Sequence, residues 1–455
     1  MKLNTNIIFE KKKSIIRNQN SKMNSNNKNE NTYKLEACQS FDCVLESLKV
    51  KRELNANLFM PSKECIDIRF NLYDKLSKLK FNIKPNLTYT QLANMKLFLR
   101  DRPFSVIQSD KNVGLVILSN ELLDSLCTTH LSDTKTYSKI HTNPLNDTIY
   151  EVKKILYSLQ KEKQLNIDLS KLVPKVPRLG NFRVLAKLHK ENFGIRPIIN
   201  NKKHITSQIC KLIDLIIKPV LYKTKTYLKD SQHLIQKCED LNFNDSNLFL
   251  YTMDFESLYT NLNKADVVNT ITGYIGDYLD TKYITTIAFR AILSIIFDLN
   301  VFSYKNKKGE IMYFKQINGI AMGCICGPSV ASLFVFVLEE KWLKIHKPLY
   351  YGRFIDDICL IDNKKLNEPD FQSFFLGLKL NIKEDKVIEF LDLTIKFDVL
   401  RNRLVFSLFI KPTNTFSYLK IESNHPQFVF NNIPKSLFIR IRRICIWIIY
   451  ISQEN

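Results

Sequence analysis

The run YYGRFIDDICLI at 350–361 sets two adjacent carboxylates, Asp356 and Asp357, between apolar flanks. Tyr350, Tyr351, Phe354 and Ile355 lead in, and Ile358, Cys359, Leu360 and Ile361 lead out. Both flanks read as short strands rich in β-forming residues. Side-by-side carboxylates in such a setting repel each other and lose solvation. Taken alone, the pair has two readings: a solvated hairpin tip, since Asp is a good turn residue, or a turn that aims both carboxylates at divalent cations.

A further carboxylate belongs with them. Asp254 closes the apolar run Leu248–Met253, so it ends a strand, where it could equally serve as a cap. The chain order is strand-end Asp, then a Gly-rich turn entering a helix, then strand–Asp-Asp–strand. That order predicts Asp254, Asp356 and Asp357 on neighbouring strands of one antiparallel sheet. With the backbone carbonyl of Phe255 they make a hard-oxygen site suited to two Mg²⁺. Two such ions activate a 3′-hydroxyl and stabilise a leaving pyrophosphate oxygen, and their charge offsets the repulsion between the aspartates.

Other elements must position these groups. The stretch Gln316–Leu338 carries no charge, but Gln316, Asn318, its glycines and Pro328 make it a poor membrane span. Its first part, QINGIAMGCICGP, has small residues where a backbone must approach something closely, as a floor beneath a template and an incoming base. Pro328 suits a first helical turn. Val330, Leu333, Phe334, Val337 and Leu338 then predict the buried stripe of an amphipathic helix. Hairpins are predicted at 102–119, around an Asp-Lys-Asn-x-Gly turn, at 172–199, turning near Asn192–Gly194, and at 301–316, around Lys-Lys-Gly. Helices are predicted at 145–163 and 205–240.

These segments resemble the palm motifs of reverse transcriptases. YTMDFESLYTNL, QINGIAMGCICGPSVASLF and YGRFIDDICLI occur in the order that family requires. The finer resemblance is to Penelope-like retroelements, through SDKNVGLVIL (109–118), LAKLHK (185–190), GIRPII (194–199), DFESLYTN (254–261), EFLDLTI (389–395) and NNIPKSLFIRIRRIC (431–445). The departures are Cys324 where Ser is usual and Asn112 where Gly is usual. The resemblance implies an α+β right-hand polymerase, its palm an antiparallel sheet packed on helices. Its divisions are a disordered basic tail (1–34), a helical N-terminal extension (35–100), fingers (101–240), a catalytic palm (241–397) and a short thumb (398–455). No GIY-YIG nuclease motif is found before Asn455, which leaves a truncated copy or a nuclease-lacking relative.

The resemblance also assigns roles. Asp254, Asp356 and Asp357 bind the metals, Mg²⁺ or Mn²⁺. Tyr259 lies beneath the incoming sugar and disfavours a 2′-hydroxyl. Lys187, with Lys190 as its rival, and Arg196 hold the triphosphate, Arg being suited to bidentate phosphate contact. Gln316 and Gly323 face nucleotide and template. Lys383, with Lys386 as alternative, protonates the leaving pyrophosphate. In the thumb, Leu437, Phe438, Ile441 and Ile444 form an apolar stripe, and Lys435, Arg440, Arg442 and Arg443 a basic side that grips the template–primer backbone. That side has a plainer reading as a solvated charged face.

Composition agrees with these partners. The 455 residues carry 67 Lys+Arg against 45 Asp+Glu, a net charge of +22, which attracts polyanions, nucleic acid first. No amphipathic membrane anchor or secretory signal pattern is seen. The 10 cysteines include no CxxC pair, and Cys324-x-Cys326 is their one close spacing. That fits reduced thiols inside a nuclear or cytoplasmic protein, not a disulfide scaffold or a zinc site. The expected function is RNA-directed DNA synthesis from a primer with deoxynucleoside triphosphates, with no protein partner indicated. The rivals are an RNA-dependent RNA polymerase and an inactive, co-opted nucleic-acid-binding relic.

Overall fold

The computed structural model describes residues 88–100, 102–110, 114–188, 193–239, 241, 248–412, 414, 416, 418–419, 423 and 425–444. The expected tail, most of the expected extension, Asn112, Lys190, Asn192 and Cys445 lie outside the described residues. Contacts divide the chain into Met1–Leu92 and Ala93–Asn455, and the architecture below belongs to the second unit.

In chain order the elements begin with helix α1 (Tyr89–Arg100), strands β1 (Phe104–Gln108) and β2 (Leu115–Ser119), helix α2 (Asn120–Leu131) and strand β3 (Tyr137–Ile140). Helices α3 (Leu145–Lys161) and α4 (Leu169–Leu172), strands β4 (Gly180–Lys187) and β5 (Gly194–Asn200), and helices α5 (Ser207–Leu221) and α6 (Ser231–Glu239) follow. Then come β6 (Phe249–Phe255), α7 (Leu258–Asn261), α8 (Lys264–Ile275), α9 (Thr286–Asp298), β7 (Val301–Lys305) and β8 (Ile311–Gln316). The remainder is α10 (Gly327–His346), β9 (Tyr350–Phe354), β10 (Asp357–Asp362), α11 (Glu368–Ser373), β11 (Leu380–Asp385), β12 (Val387–Phe390), β13 (Leu393–Asp398), β14 (Arg403–Leu408) and α12 (Gln427–Ile444). No helix among the described residues is long and apolar enough to cross a membrane.

The expected hairpins form, and the sheet they enter is larger than either. Strands β4 and β5 pair antiparallel, β7 and β8 likewise, and a short parallel contact between β4 and β7 joins them into the order β3-β8-β7-β4-β5. Aromatic side chains cross it: Phe182, Phe302 and Phe314 stack at 5.9 and 5.8 Å between ring centroids, a cross-strand ladder that fixes the register. The β1–β2 hairpin attaches through a parallel bridge from Ser109 to Ala186.

The second sheet has the order β11-β6-β10-β9, antiparallel throughout. One face packs on helices, with Tyr351 and Arg353 reaching Glu339 of α10. The other carries Leu250, Tyr350, Cys359 and Ile361 into a core with Ile388, Phe390, Leu393, Ile395, Leu404 and Phe406 of the three-stranded sheet β12-β13-β14. Each such side chain contributes about 1.5–3 kcal/mol on full burial. Local caps agree with the sequence: Ser119 and Asn263 accept the backbone N–H groups of Leu122 and Asp266.

The stripe expected on α10 is buried at Val330, Leu333, Phe334 and Leu338 and half-buried at Val337; Val335 and Phe336 are buried too, so the cover is wider than a stripe, while Lys341, Lys344 and Ile345 further along are exposed. One expectation is corrected. In α12, Phe438 and Ile441 of the expected stripe are exposed. Ile444 is buried, and Val429, Phe430, Ile433 and Leu437 are half-buried, so the packed stripe is displaced toward the helix start.

Candidate active site

The pairing of β6 with β10 sets Asp254 directly opposite Asp357. Antiparallel partners point to the same face, so the two carboxylates are cross-strand neighbours. Such a pair is destabilising unless a cation or a positive side chain compensates it. On the far side of β6, Asn381 is the partner of Asp254, and the row Asp357, Asp254, Asn381 crosses three strands. Lys383, opposite Thr252, follows two residues along the same face. A cleft of about 530 Å³ opens over this row, lined also by Glu389, Phe390, Leu391, Phe409, Lys411 and Pro412.

Asp356 occupies the turn between β9 and β10, where Phe354 faces Asp357. Its neighbour Ile355 has φ +57°, the left-handed region that a β-branched residue rarely adopts. Such strain persists only where the surroundings fix it, and Arg353 does so. Arg353 is 4% exposed and donates from Nη1 to the Ile355 carbonyl at 2.7 Å, from Nη2 to the Ser332 carbonyl at 2.8 Å and from Nε to Glu339 Oε1 at 2.5 Å. Glu339, 1% exposed, also accepts from the Tyr351 hydroxyl at 2.8 Å and the Thr226 hydroxyl at 3.2 Å. A buried ion pair thus ties helix α10 to the turn carrying Asp356.

Tyr259 is half-buried beside this turn. Burial raises its phenol pKa, the Asp356 charge raises it further, and Arg353 opposes. Its carbonyl accepts from the Ile320 backbone at 2.7 Å. Gly319, at φ +71°, lies so close that a Cβ there would meet the Tyr259 carbonyl at 2.4 Å. Gly323, at φ +120°, is pressed as tightly on β5, where a Cβ would meet the Ile199 carbonyl at 2.1 Å. The small residues of QINGIAMG are therefore required by close backbone approach, to Tyr259 on one side and to β5 on the other.

Other expected site residues are distributed differently. Phe255 ends β6 with its ring buried against Phe375. Gln316 is 2% exposed, and its Nε2 donates to the Asn318 carbonyl at 2.8 Å, which braces the turn. Lys187 and Arg196 lie on the five-stranded sheet, not on the sheet of the carboxylates. Arg196 Nη2 is 3.1 Å from Asp110 Oδ2 of the SDKNVG segment, so two separate motifs meet as an ion pair. Lys383 and Lys386 are both exposed, and Lys383 lines the cleft. On α12, Lys435, Arg442 and Arg443 are exposed, whereas Arg440 Nε donates to Asp392 Oδ2 at 2.9 Å.

Sequence reasoning missed the Arg353–Glu339 pair, Asn381 and Lys411. Arg353 stands next to the motif but carries no signal of its buried partner. Asn381 is identified by strand pairing alone.

The donor set fits hard divalent cations: carboxylates in register, a third on the adjoining turn and a backbone carbonyl at the strand end. No curated protein matches the sequence. A family model described as "Animal helix-turn-helix domain" matches residues 417–454, which include α12. Among solved structures, a telomerase from Candida albicans, in complex with a fragment of telomeric RNA, is similar over 82% of this chain and 61% of its own, at 13% identity and a TM-score of 0.52. A telomerase from Candida tropicalis, also with a telomeric RNA fragment, covers 87% and 62% at 14% identity, TM-score 0.49. The RNA-dependent RNA polymerase of a human picobirnavirus covers 75% and 72% at 13% identity, TM-score 0.39. This chain therefore spans less than two thirds of the telomerases' length, and the first likeness shows its fold, the α+β right-hand fold of reverse-transcriptase-like polymerases.

Proposed function

We propose that this chain is an RNA-directed DNA polymerase of a Penelope-like retroelement, extending a primer 3′ end with deoxynucleoside triphosphates. The observation that carries the reading is the register that sets Asp254 opposite Asp357, with Asp356 on the adjoining turn, within a polymerase fold. Telomeric RNA bound to the Candida albicans telomerase supports an RNA template here.

Asp254, Asp356, Asp357 and the Phe255 carbonyl would hold two Mg²⁺, or Mn²⁺ in their place. When bound, such ions activate a 3′-hydroxyl and neutralise charge at the leaving pyrophosphate. The chain's own residues do the rest by positioning and electrostatics. Arg353 and Glu339 hold the aspartate turn in its strained conformation. Tyr259, wedged between the Gly319 turn and Asp356, supplies a flat wall beneath the sugar that disfavours a 2′-hydroxyl. Lys383 in the cleft supplies a proton donor for the pyrophosphate. Lys187 and Arg196 supply cations for the triphosphate, Arg196 exchanging Asp110 for phosphate. Lys435, Arg442 and Arg443 contact the nucleic-acid backbone.

The test is primer extension on poly(rA)/oligo(dT) with Mg²⁺. Wild type should incorporate dTTP well above UTP. Asp356→Ala should slow extension by roughly two to three orders of magnitude with duplex binding retained. Tyr259→Val should raise the share of UTP incorporated. Salt-sensitive binding without extension by wild type would overturn the reading and leave a nucleic-acid-binding protein.

A further inference from the structure

Cysteines that are far apart in sequence meet in the core. Cys210 on α5 is 3.5 Å from Cys324, sulfur to sulfur, and Cys324 is 3.6 Å from Cys326. All three sulfurs lie within 4.8 Å of one another, and all three residues are buried. Around a tetrahedral ion with Zn–S bonds of about 2.3 Å, neighbouring sulfurs are separated by about 3.8 Å. The Cys210–Cys324 and Cys324–Cys326 separations, 3.5 and 3.6 Å, fall just short of that.

The thiols have a polar neighbour beyond each other. The Thr206 hydroxyl is 3.8 Å from Cys210 Sγ. His204, 1% exposed, has its Nδ1 2.8 Å from the same Thr206 hydroxyl, and it stands outside the group that the three sulfurs form.

We infer that Cys210, Cys324 and Cys326 bind a structural zinc ion. The ion pins helix α5 to the turn that carries Gly323. The inference stands apart from the polymerase reading, because these sulfurs and His204 lie off the carboxylate cleft. Spacing along the chain could not show it, since Cys210 precedes Cys324 by 114 residues.

The test is the metal content of the full-length protein, purified under reducing conditions without chelator. About one zinc per chain is expected. After exchange, Co²⁺ should give the intense near-ultraviolet sulfur-to-cobalt bands of a multi-thiolate site. Cys324→Ser and Cys326→Ser should lose the zinc, while Cys127→Ser, which removes a buried thiol outside the cluster, should keep it. Wild-type readings alone decide the matter if the serine variants fail to fold. Folded wild type without zinc and without cobalt–sulfur bands overturns the site, as does a Cys210–Cys324 or Cys324–Cys326 disulfide found by mass.

Discussion

Arg353 is charged, buried and makes three side-chain contacts, two to α10 and one to the aspartate turn. It spans a carboxylate on α10, a carbonyl inside that helix and the carbonyl of strained Ile355. Removing one member of a buried ion pair strands the other. Arg353→Met should therefore destabilise the fold by about 3–5 kcal/mol in chemical denaturation. Replacing both, as Arg353→Met with Glu339→Leu, should restore much of that stability. If the arginine also positions Asp356, the double variant should still extend primers at least about tenfold more slowly than wild type, a loss in kcat with little change in KM for primer. Recovery of both stability and rate would make the pair a packing device alone. The placing of the aspartates was legible in the sequence because strand-forming residues bound their hairpin turn on both sides. Arg353 and Glu339 were not, because a buried ion pair is a fact of the assembled fold and leaves no periodicity behind.

Elements were legible where short-range signals fixed them. The β7–β8 hairpin follows from its Lys-Lys-Gly turn, with Gly309 at φ +92°, and α3 from the spacing of Thr148, Val152 and Leu156. Strand β11 was missed as a palm strand because Leu380 and Ile382 are a thin apolar pattern; its place comes from pairing with β6. Burial on α10 beyond the predicted stripe, at Val335 and Phe336, was missed because the helix up to Leu338 carries no charge to mark an outer face. Two glycines separate conformational need from close approach. A Cβ on Gly309 meets nothing within 4 Å, whereas on Gly323 it meets the Ile199 carbonyl at 2.1 Å. Gly309→Ala should thus cost about 1 kcal/mol, its backbone conformation alone. Gly323→Ala should cost at least about 2–3 kcal/mol, because backbone on both sides must shift. Urea denaturation followed by circular dichroism would compare them, and equal costs would show that the turn at 319–326 is free to yield.

Over the whole molecule, the effect of the +22 net charge depends on which cations are exposed to a phosphate backbone. Arg442 and Arg443 are exposed on α12, while Arg440 is compensated by Asp392 at 2.9 Å. Each cation that neutralises a phosphate releases counterions and steepens the fall of affinity with salt. A polymerase face that grips its duplex by the backbone should bind many sequences alike, with a steep salt dependence. Arg442→Ala and Arg443→Ala should each flatten the plot of log affinity against log salt by about one unit of slope, without changing sequence preference. Arg440→Ala should flatten it less, because that guanidinium already has a carboxylate beside it. Fluorescence anisotropy with an RNA–DNA duplex at several salt concentrations reads all three. Equal effects from Arg440 and Arg443 would mean that duplex binding breaks the Arg440–Asp392 pair. Asp392 also accepts from Ser231 of α6, so in that case α12 would have to move away from α6 as it closes on the duplex.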